Sequence, residues 1–135
     1  SYKPILLKVS PDLAHQQLDD IIDYCLRSGI DGIVAGNTTR SREGLTTISQ
    51  EKIDEIGNGG MSGAPLHQKN LELVKYVHTK SEGKLPIIGV GGIMSPEQAK
   101  TMLDAGASLV EIYTGFIYEG PALVKNIIKH RETTL

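Results

Sequence analysis

The sequence contains few aromatic and sulfur-bearing residues. Trp is absent, and Phe and Cys each occur once among the 135 residues. The core must therefore be built mainly from Ile, Leu, Val and Ala. The single cysteine, Cys25, cannot form an internal disulfide, which suits a reducing compartment such as the cytoplasm. Cys25 lies on the apolar face of a predicted helix, and we expect it to fill the core rather than to act as a reactive thiol.

The sequence also lacks a strong charge of either sign, a membrane-spanning segment and a metal-binding pattern. The formal net charge is −2, which gives no basic surface for nucleic acid. No apolar run approaches the ~20 residues needed to cross a bilayer. The four His residues show no metal-ligand spacing, so no metal site is predicted. The length suits one domain with a real core and is too short for two.

An apolar run, a polar or glycine-rich tip and an amphipathic helix follow one another four times. The predicted strands cover residues 5–9, 32–36, 85–90 and 109–113. Strands that alternate with helices of this kind indicate parallel βαβ units with right-handed crossovers. The sequence therefore predicts an α/β fold.

Several short signals predict where the helices begin and end. Ser10-Pro11-Asp12 is expected to begin the first helix, and Gly29 is expected to end it. Ser95-Pro-Glu-Gln98 is predicted to form a capping box, and Pro121 to open the last helix. Residues 37–63 are expected to form a long polar loop, and loops of this length are usually functional or disordered.

Four βα units do not complete a closed barrel. A (β/α)₈ TIM barrel needs eight strands and typically ~250 residues. An open four-stranded sheet is possible, but its first and fourth strands would be uncovered edges. We therefore predict four βα units that form half of a TIM barrel. The other half would come from an absent N-terminal segment, a partner chain or a second copy, and the start at Ser1 rather than Met hints at a cut or processed chain.

Glycine-rich tips follow the last two predicted strands. Gly89-Val-Gly-Gly92 ends the third strand, and Tyr113-Thr-Gly115 ends the fourth. Glycine lets the backbone approach a bulky anion, and the following helix offers unpaired N–H groups to it. In TIM barrels the loops after strands seven and eight often bind phosphate. A dinucleotide fingerprint is disfavoured because Met94 stands where its third glycine would fall.

Polar residues at the first two strand ends are further candidates. Lys8 either reaches an anionic substrate or cofactor or extends to solvent at the rim. Asn37-Thr-Thr39 either binds a planar ligand with carbonyl and N–H edges or makes ordinary turns. Gly59-Gly-Met-Ser-Gly-Ala-Pro65 is read as a turn whose backbone could also face phosphate. Glu111 points either inward or toward a loop, and His15 is placed on a solvated helix face.

These residues together resemble the C-terminal half of the dihydroorotate dehydrogenase family. In the details of its motifs the sequence resembles the quinone-dependent class more than the soluble one. The resemblance runs over essentially all of residues 1–135, which we expect to form the C-terminal half of an FMN-binding TIM-barrel domain. The matching segments are Leu7-Lys-Val-Ser-Pro-Asp-Leu13, Gly29-Ile-Asp-Gly32, Asn37-Thr-Thr39 with Ser41-Arg42, Gly59-Gly-Met-Ser-Gly-Ala-Pro-Leu66, Ile87-Ile-Gly-Val-Gly-Gly-Ile93, Ala105-Gly-Ala-Ser-Leu-Val110, and Tyr113-Thr114 with Tyr118-Glu-Gly-Pro121.

The resemblance implies an FMN enzyme that oxidises dihydroorotate to orotate in pyrimidine biosynthesis and passes the electrons to quinone. It implies that Lys8 contacts the flavin ring and that Gly36, at a position where the family often has Ser or Thr, touches the flavin through its backbone. Asn37 and Thr38 would bind the pyrimidine. The residues implied around the ribityl phosphate are Ser62, Gly63, Gly91, Gly92, Tyr113 and Thr114.

The resemblance also implies that part of the enzyme is missing. The catalytic base of the quinone-dependent class is a serine in the N-terminal half, so no catalytic residue is assigned in this chain. The N-terminal helices that would place the intact enzyme peripherally on the inner membrane are missing as well. We therefore expect the chain alone to be inactive. The alternatives are another FMN TIM-barrel oxidoreductase, such as a dihydropyrimidine or dihydrouridine relative, and a non-catalytic half-barrel that self-associates.

Overall fold

The computed structural model describes residues 1–132 and shows one sheet of four parallel strands. The strands pair in their sequence order, β1-β2-β3-β4. They are one or two residues shorter than predicted, because β1 and β3 begin later and β2 and β4 end earlier. Their bounds are Leu6–Val9 for β1, Gly32–Ala35 for β2, Ile87–Val90 for β3 and Leu109–Glu111 for β4. The four parallel strands and their helices confirm the predicted α/β fold.

Helices connect the strands and follow the last one. A short 3₁₀ turn, Ala64–Leu66, precedes the third helix. The helices are α1 (His15–Ser28), α2 (Gln50–Ile56), α3 (His67–Lys80), α4 (Pro96–Asp104), α5 (Thr114–Glu119) and α6 (Pro121–Glu132). None of the helices in residues 1–132 is both long and apolar enough to span a bilayer.

The structure differs from the predicted helices at three places. Helix α1 begins at His15 rather than at Ser10-Pro11-Asp12, because the Gln17 side chain accepts a hydrogen bond from the Ala14 amide at 3.0 Å and Asp12 is used elsewhere. The stretch 37–63 is not all loop: it contains α2, whose first turn is capped by the Ser49 hydroxyl. The segment after β4 forms a separate helix, α5, before Pro121 opens α6.

Three predicted signals lie where expected, and the first is Pro121, which opens α6. Gly29 ends α1 in the left-handed conformation, with φ of 77°. Ser95 caps α4 by accepting from the Gln98 amide at 3.3 Å. The reciprocal bond of a capping box is shifted by one residue, because the Gln98 side chain accepts from the Met94 amide instead of from Ser95.

The two faces of the sheet differ in what covers them. Side chains on one face pack under the helices and include Val9, Ala35 and Ile87. The buried Cys25 belongs to the same core, and burial raises the pKa of its thiol. Within the described part of the chain no helix lies over the opposite face, and Leu6 and Leu109 there are 37% and 58% exposed. Parallel sheets are normally covered on both faces, so this structure has the layering of a barrel wall with its inner side open.

Candidate functional site

A cavity of about 370 Å³ lies at the carboxyl ends of the four strands. All ten residues that the sequence singled out for cofactor or substrate binding line it. Besides them, the cavity is lined by apolar residues and one carboxylate, which sequence reasoning did not assign. The lining residues are Lys8, Gly36, Asn37, Thr38, Ser62, Gly63, Leu66, Val90, Gly91, Gly92, Ile93, Glu111, Ile112, Tyr113, Thr114 and Gly115.

Two of the predicted phosphate tips are in direct contact. The Thr114 hydroxyl donates a hydrogen bond to the Ser62 oxygen at 3.1 Å. Gly63 has φ of 87°, and a Cβ there would lie 3.3 Å from the Thr114 methyl group. The loop before α3 and the start of α5 thus meet at one point. Both hydroxyls and the free N–H groups of a helix start are suitable donors to an anion.

The third tip, Gly91 and Gly92, lies beside the same cavity, and its lack of side chains allows this close approach. Their φ values are 117° and 70°, a region that glycine adopts without strain. A Cβ at Gly92 would lie 2.4 Å from the backbone nitrogen of His67, so the chain passes directly against the start of α3. Burial lowers the pKa of His67. The two glycines line the cavity, so backbone without side chains borders it at this tip.

Lys8 and Glu111 reach the cavity from opposite edges of the sheet. Lys8 lies on β1 and Glu111 on β4, and both are exposed on the uncovered face. This decides the orientation that the sequence left open for Glu111. Within residues 1–132 the Lys8 ammonium makes no ion pair, so its charge is available to a ligand.

Asp12 holds the loop that carries Asn37 and Thr38. Its carboxylate accepts from the Thr39 hydroxyl at 2.5 Å, the Arg40 amide at 2.7 Å and the Lys69 ammonium at 2.6 Å. Burial raises the pKa of Asp12, but these hydrogen bonds and the Lys69 charge outweigh it and lower the pKa to about 2. The position of Asp12 just after a strand end is a usable signal for this role, although Ser10-Pro11-Asp12 also predicts a helix start.

Arg42 closes the other side of the same loop. Its guanidinium donates to the carbonyl oxygens of Gly57 and Gly59 at 2.9 and 2.5 Å. Thr39 and Met61 also exchange both backbone hydrogen bonds, at 3.2 and 2.8 Å. These bonds make the first part of the 37–63 segment a fixed structure next to the cavity.

The remaining candidates of the sequence lie away from the cavity. His15 is on an exposed position of α1, where its ring stacks on Tyr76 with ring centroids 4.5 Å apart. Among residues 1–132 there is no group of three or more His, Cys, Asp or Glu side chains that could hold a metal ion.

Comparison with known proteins gives the family. The Dihydroorotate dehydrogenase family model matches residues 1–135. The chain belongs to the dihydroorotate dehydrogenase family. It is 49% identical to the quinone-dependent dihydroorotate dehydrogenase of Salinispora arenicola, covering 91% of this chain and 36% of that protein. It is 51% identical to the enzyme of the same name from Christiangramia forsetii, covering 93% of this chain and 35% of that protein.

Solved structures agree with the sequence relatives. Ligand-free dihydroorotate dehydrogenase of Eimeria tenella superposes with a TM-score of 0.86 at 33% identity, covering 96% of this chain and 35% of that one. The same protein in complex with ferulenol also gives a TM-score of 0.86 at 34% identity, covering 96% of this chain and 34% of that one. The chain thus spans about a third of the length of the dihydroorotate dehydrogenases it matches, and its four parallel strands correspond to part of their TIM barrel.

Proposed function

We propose that this chain is the C-terminal half of the FMN-binding barrel of a quinone-dependent dihydroorotate dehydrogenase, and that it carries the FMN-phosphate and orotate sites. The observation that supports this most is the meeting of three backbone tips, 62–63, 91–92 and 113–114, at one cavity. The family of the chain gives the reaction class, an oxidation of dihydroorotate to orotate in pyrimidine biosynthesis with quinone as acceptor.

The residues present fit a flavin nucleotide. Bare backbone at Gly91 and Gly92 and the hydroxyls of Ser62 and Thr114 suit its phosphate. The bound flavin would supply the hydride-accepting chemistry of the reaction. Lys8 approaches from the uncovered face, where its charge would stabilise negative charge on the reduced ring. Gly36 would contribute backbone only.

Asn37 and Thr38 would orient the pyrimidine. Both are exposed to the cavity, and their side chains offer a donor and acceptors for carbonyl and N–H edges. The Asp12 contacts fix the following residue, Thr39, so the two binding side chains start from a rigid point. In this scheme the chain binds and orients, while the serine base that removes the substrate proton lies in the other half of the enzyme.

The uncovered face of the sheet supports the missing-half assignment. Four further strands would cover it and pair with the free edges of β1 and β4. In the intact enzyme these would come from the N-terminal half, which would also place the enzyme peripherally on the inner membrane. The same exposed face favours one second candidate, a non-catalytic pair of two copies of this chain.

A chimera tests the main proposal. The chain replaces the corresponding third of the Salinispora arenicola enzyme, and dye reduction by dihydroorotate is measured. We expect activity in the chimera, loss of activity when Lys8→Ala is added, and none for the chain alone. An inactive but folded chimera, or an active isolated chain, would contradict the proposal.

Two further measurements separate the alternatives. Orotate should shift the flavin absorption of the chimera, whereas uracil should not. A flavin that responds to uracil and not to orotate would favour another FMN oxidoreductase. Light scattering on the isolated chain tests the paired form, because a well-behaved monomer would eliminate it.

A further inference from the structure

Asn70 lies behind the cavity, between the ends of β2 and β3. It is on α3, and its side chain is fully buried with no exposed surface. Its amide nitrogen donates to the Val90 carbonyl at 2.8 Å and to the Asn37 carbonyl at 3.5 Å. The Gly36 amide donates to the same Val90 carbonyl at 3.2 Å. One carbonyl therefore joins a helix side chain to the two strand ends that form the cavity floor.

The carboxamide also occupies the space in front of two glycines. A Cβ at Gly36 would lie 2.4 Å from the Asn70 Oδ1, and a Cβ at Gly91 would lie 2.0 Å from the Nδ2. Gly91 has φ of 117°, so its conformation already favours glycine. Gly36 does not have a left-handed φ, so its φ does not itself require glycine. Asn70 makes the closest contact that a Cβ there would meet, and the Cδ2 of Leu73 would lie 3.0 Å away.

The two ends of the carboxamide differ in their bonding. The donor end makes both hydrogen bonds, whereas Oδ1 has no partner within the described residues. A buried acceptor without a partner is unfavourable. What this side chain contributes therefore comes from its N–H bonds and from its volume.

We propose that Asn70 is a positioning residue that fixes the Gly36–Asn37 and Val90–Gly91 strand ends against each other and excludes a side chain from position 36. This rests on the proposed function in one respect: the fixed strand ends are those that would face the flavin and the pyrimidine. The residue acts through the backbone and touches no ligand itself.

A double-mutant cycle in the full chain tests the steric part. The variants are Gly36→Ala, Asn70→Ser and both together, with unfolding followed in urea. We expect Gly36→Ala to lower the unfolding midpoint when Asn70 is present and to have a clearly smaller effect when position 70 is Ser, where only the Leu73 contact at 3.0 Å remains. Gly59→Ala is the matched control, since a Cβ there has nothing within 4 Å. If Gly36→Ala is as harmless as Gly59→Ala, or equally harmful in both backgrounds, the proposal fails.

Hydrogen exchange tests the positioning part without any ligand. In Asn70→Ser, the Gly36 amide should exchange about tenfold faster or more, beyond any change in global stability. Val74→Ala is the control, because it removes buried volume from the same helix without a bond to either strand end. If Asn70→Ser raises the exchange rate of the Gly36 amide no more than Val74→Ala does, the inference is overturned.

FMN binding separates this inference from the proposed function. In the chimera described above, Asn70→Ser should weaken FMN binding about fivefold to twentyfold under conditions where the protein stays folded, which corresponds to roughly 1–2 kcal/mol. Asn58→Ser, at an exposed site, should not. Unchanged FMN affinity in Asn70→Ser would count against Asn70. Failure of the parent chimera to bind FMN would count against the proposed function, while the cycle and the exchange data would still decide the role of Asn70.

Discussion

Replacing Asp12 by Asn should destabilise the protein at neutral pH and have much less effect in acid. The hydrogen bonds and the Lys69 charge lower the pKa of Asp12 from 3.8 to about 2. At 1.36 kcal/mol per pH unit this corresponds to about 2.4 kcal/mol. The side chains of Asp12 and Lys69 are 28% and 37% exposed, so solvent screening reduces the expected value. We therefore expect a loss of about 1–2 kcal/mol for Asp12→Asn at pH 7.

The sign follows from the direction of the pKa change. Because the folded-state pKa is the lower one, the carboxylate stabilises the fold at pH values above about 4, and this contribution is lost as the pH falls toward 2. Urea unfolding of the parent and of Asp12→Asn, followed by circular dichroism from pH 7 to pH 2, measures the difference. We expect the two proteins to converge in acid. A difference that stays constant over this range would show that shape, not charge, is what matters at Asp12.

Three other substitutions have defined outcomes. Gly92→Ala should lower the free energy of unfolding by about 2 kcal/mol or more and abolish FMN binding, because a Cβ there would meet the backbone of His67 at 2.4 Å and φ is 70°. Gly59→Ala is the control. A Gly92→Ala protein that binds FMN normally would refute the role of the Gly91–Gly92 tip in binding the phosphate. Lys8→Met should leave the unfolding midpoint almost unchanged, since Lys8 is exposed and makes no ion pair within residues 1–132. The same substitution should weaken FMN or orotate binding in the chimera. Unchanged binding of both ligands would show that Lys8 does not contact either of them. Met102→Ala should cost about 2–5 kcal/mol in urea unfolding, because Met102 is fully buried, and a loss below ~1 kcal/mol would show that the core closes around the gap.

The strands and the cavity could be predicted because their signals are local. Apolar runs such as Ile87–Val90 end in glycine or polar residues, and in a parallel sheet the strand ends of the same polarity lie at one edge. This is enough to bring Lys8, Asn37 and Gly92 together without knowledge of the packing.

The supporting contacts could not be predicted, because they join residues that are far apart in the chain. Asp12 and Lys69 are 57 positions apart, and Asn70 and Val90 are 20 apart. Ser-Pro-Asp is a common helix start, so the sequence predicts that role for Asp12. The hydrogen bonds that Asp12 accepts from Thr39 and Arg40 belong to tertiary structure and leave no local signal. The burial of Asn70 could not be predicted either. Helical periodicity assigns apolar residues to the buried face of α3, so a polar residue such as Asn70 is expected on the exposed face.

The order of the strands has a consequence for how this chain folds. Each strand pairs only with the next one along the chain, and α3 and α4 pack on the strands that they connect. The β2–β3 pairing brings Ile33 opposite Ile87, so a long stretch of chain must close before it forms. The entropy lost in closing such loops makes parallel pairing a slow step of folding. We expect the sheet to grow by one βα unit at a time as the polypeptide leaves the ribosome. The cavity at the strand ends is complete only when β4 and α5 are added.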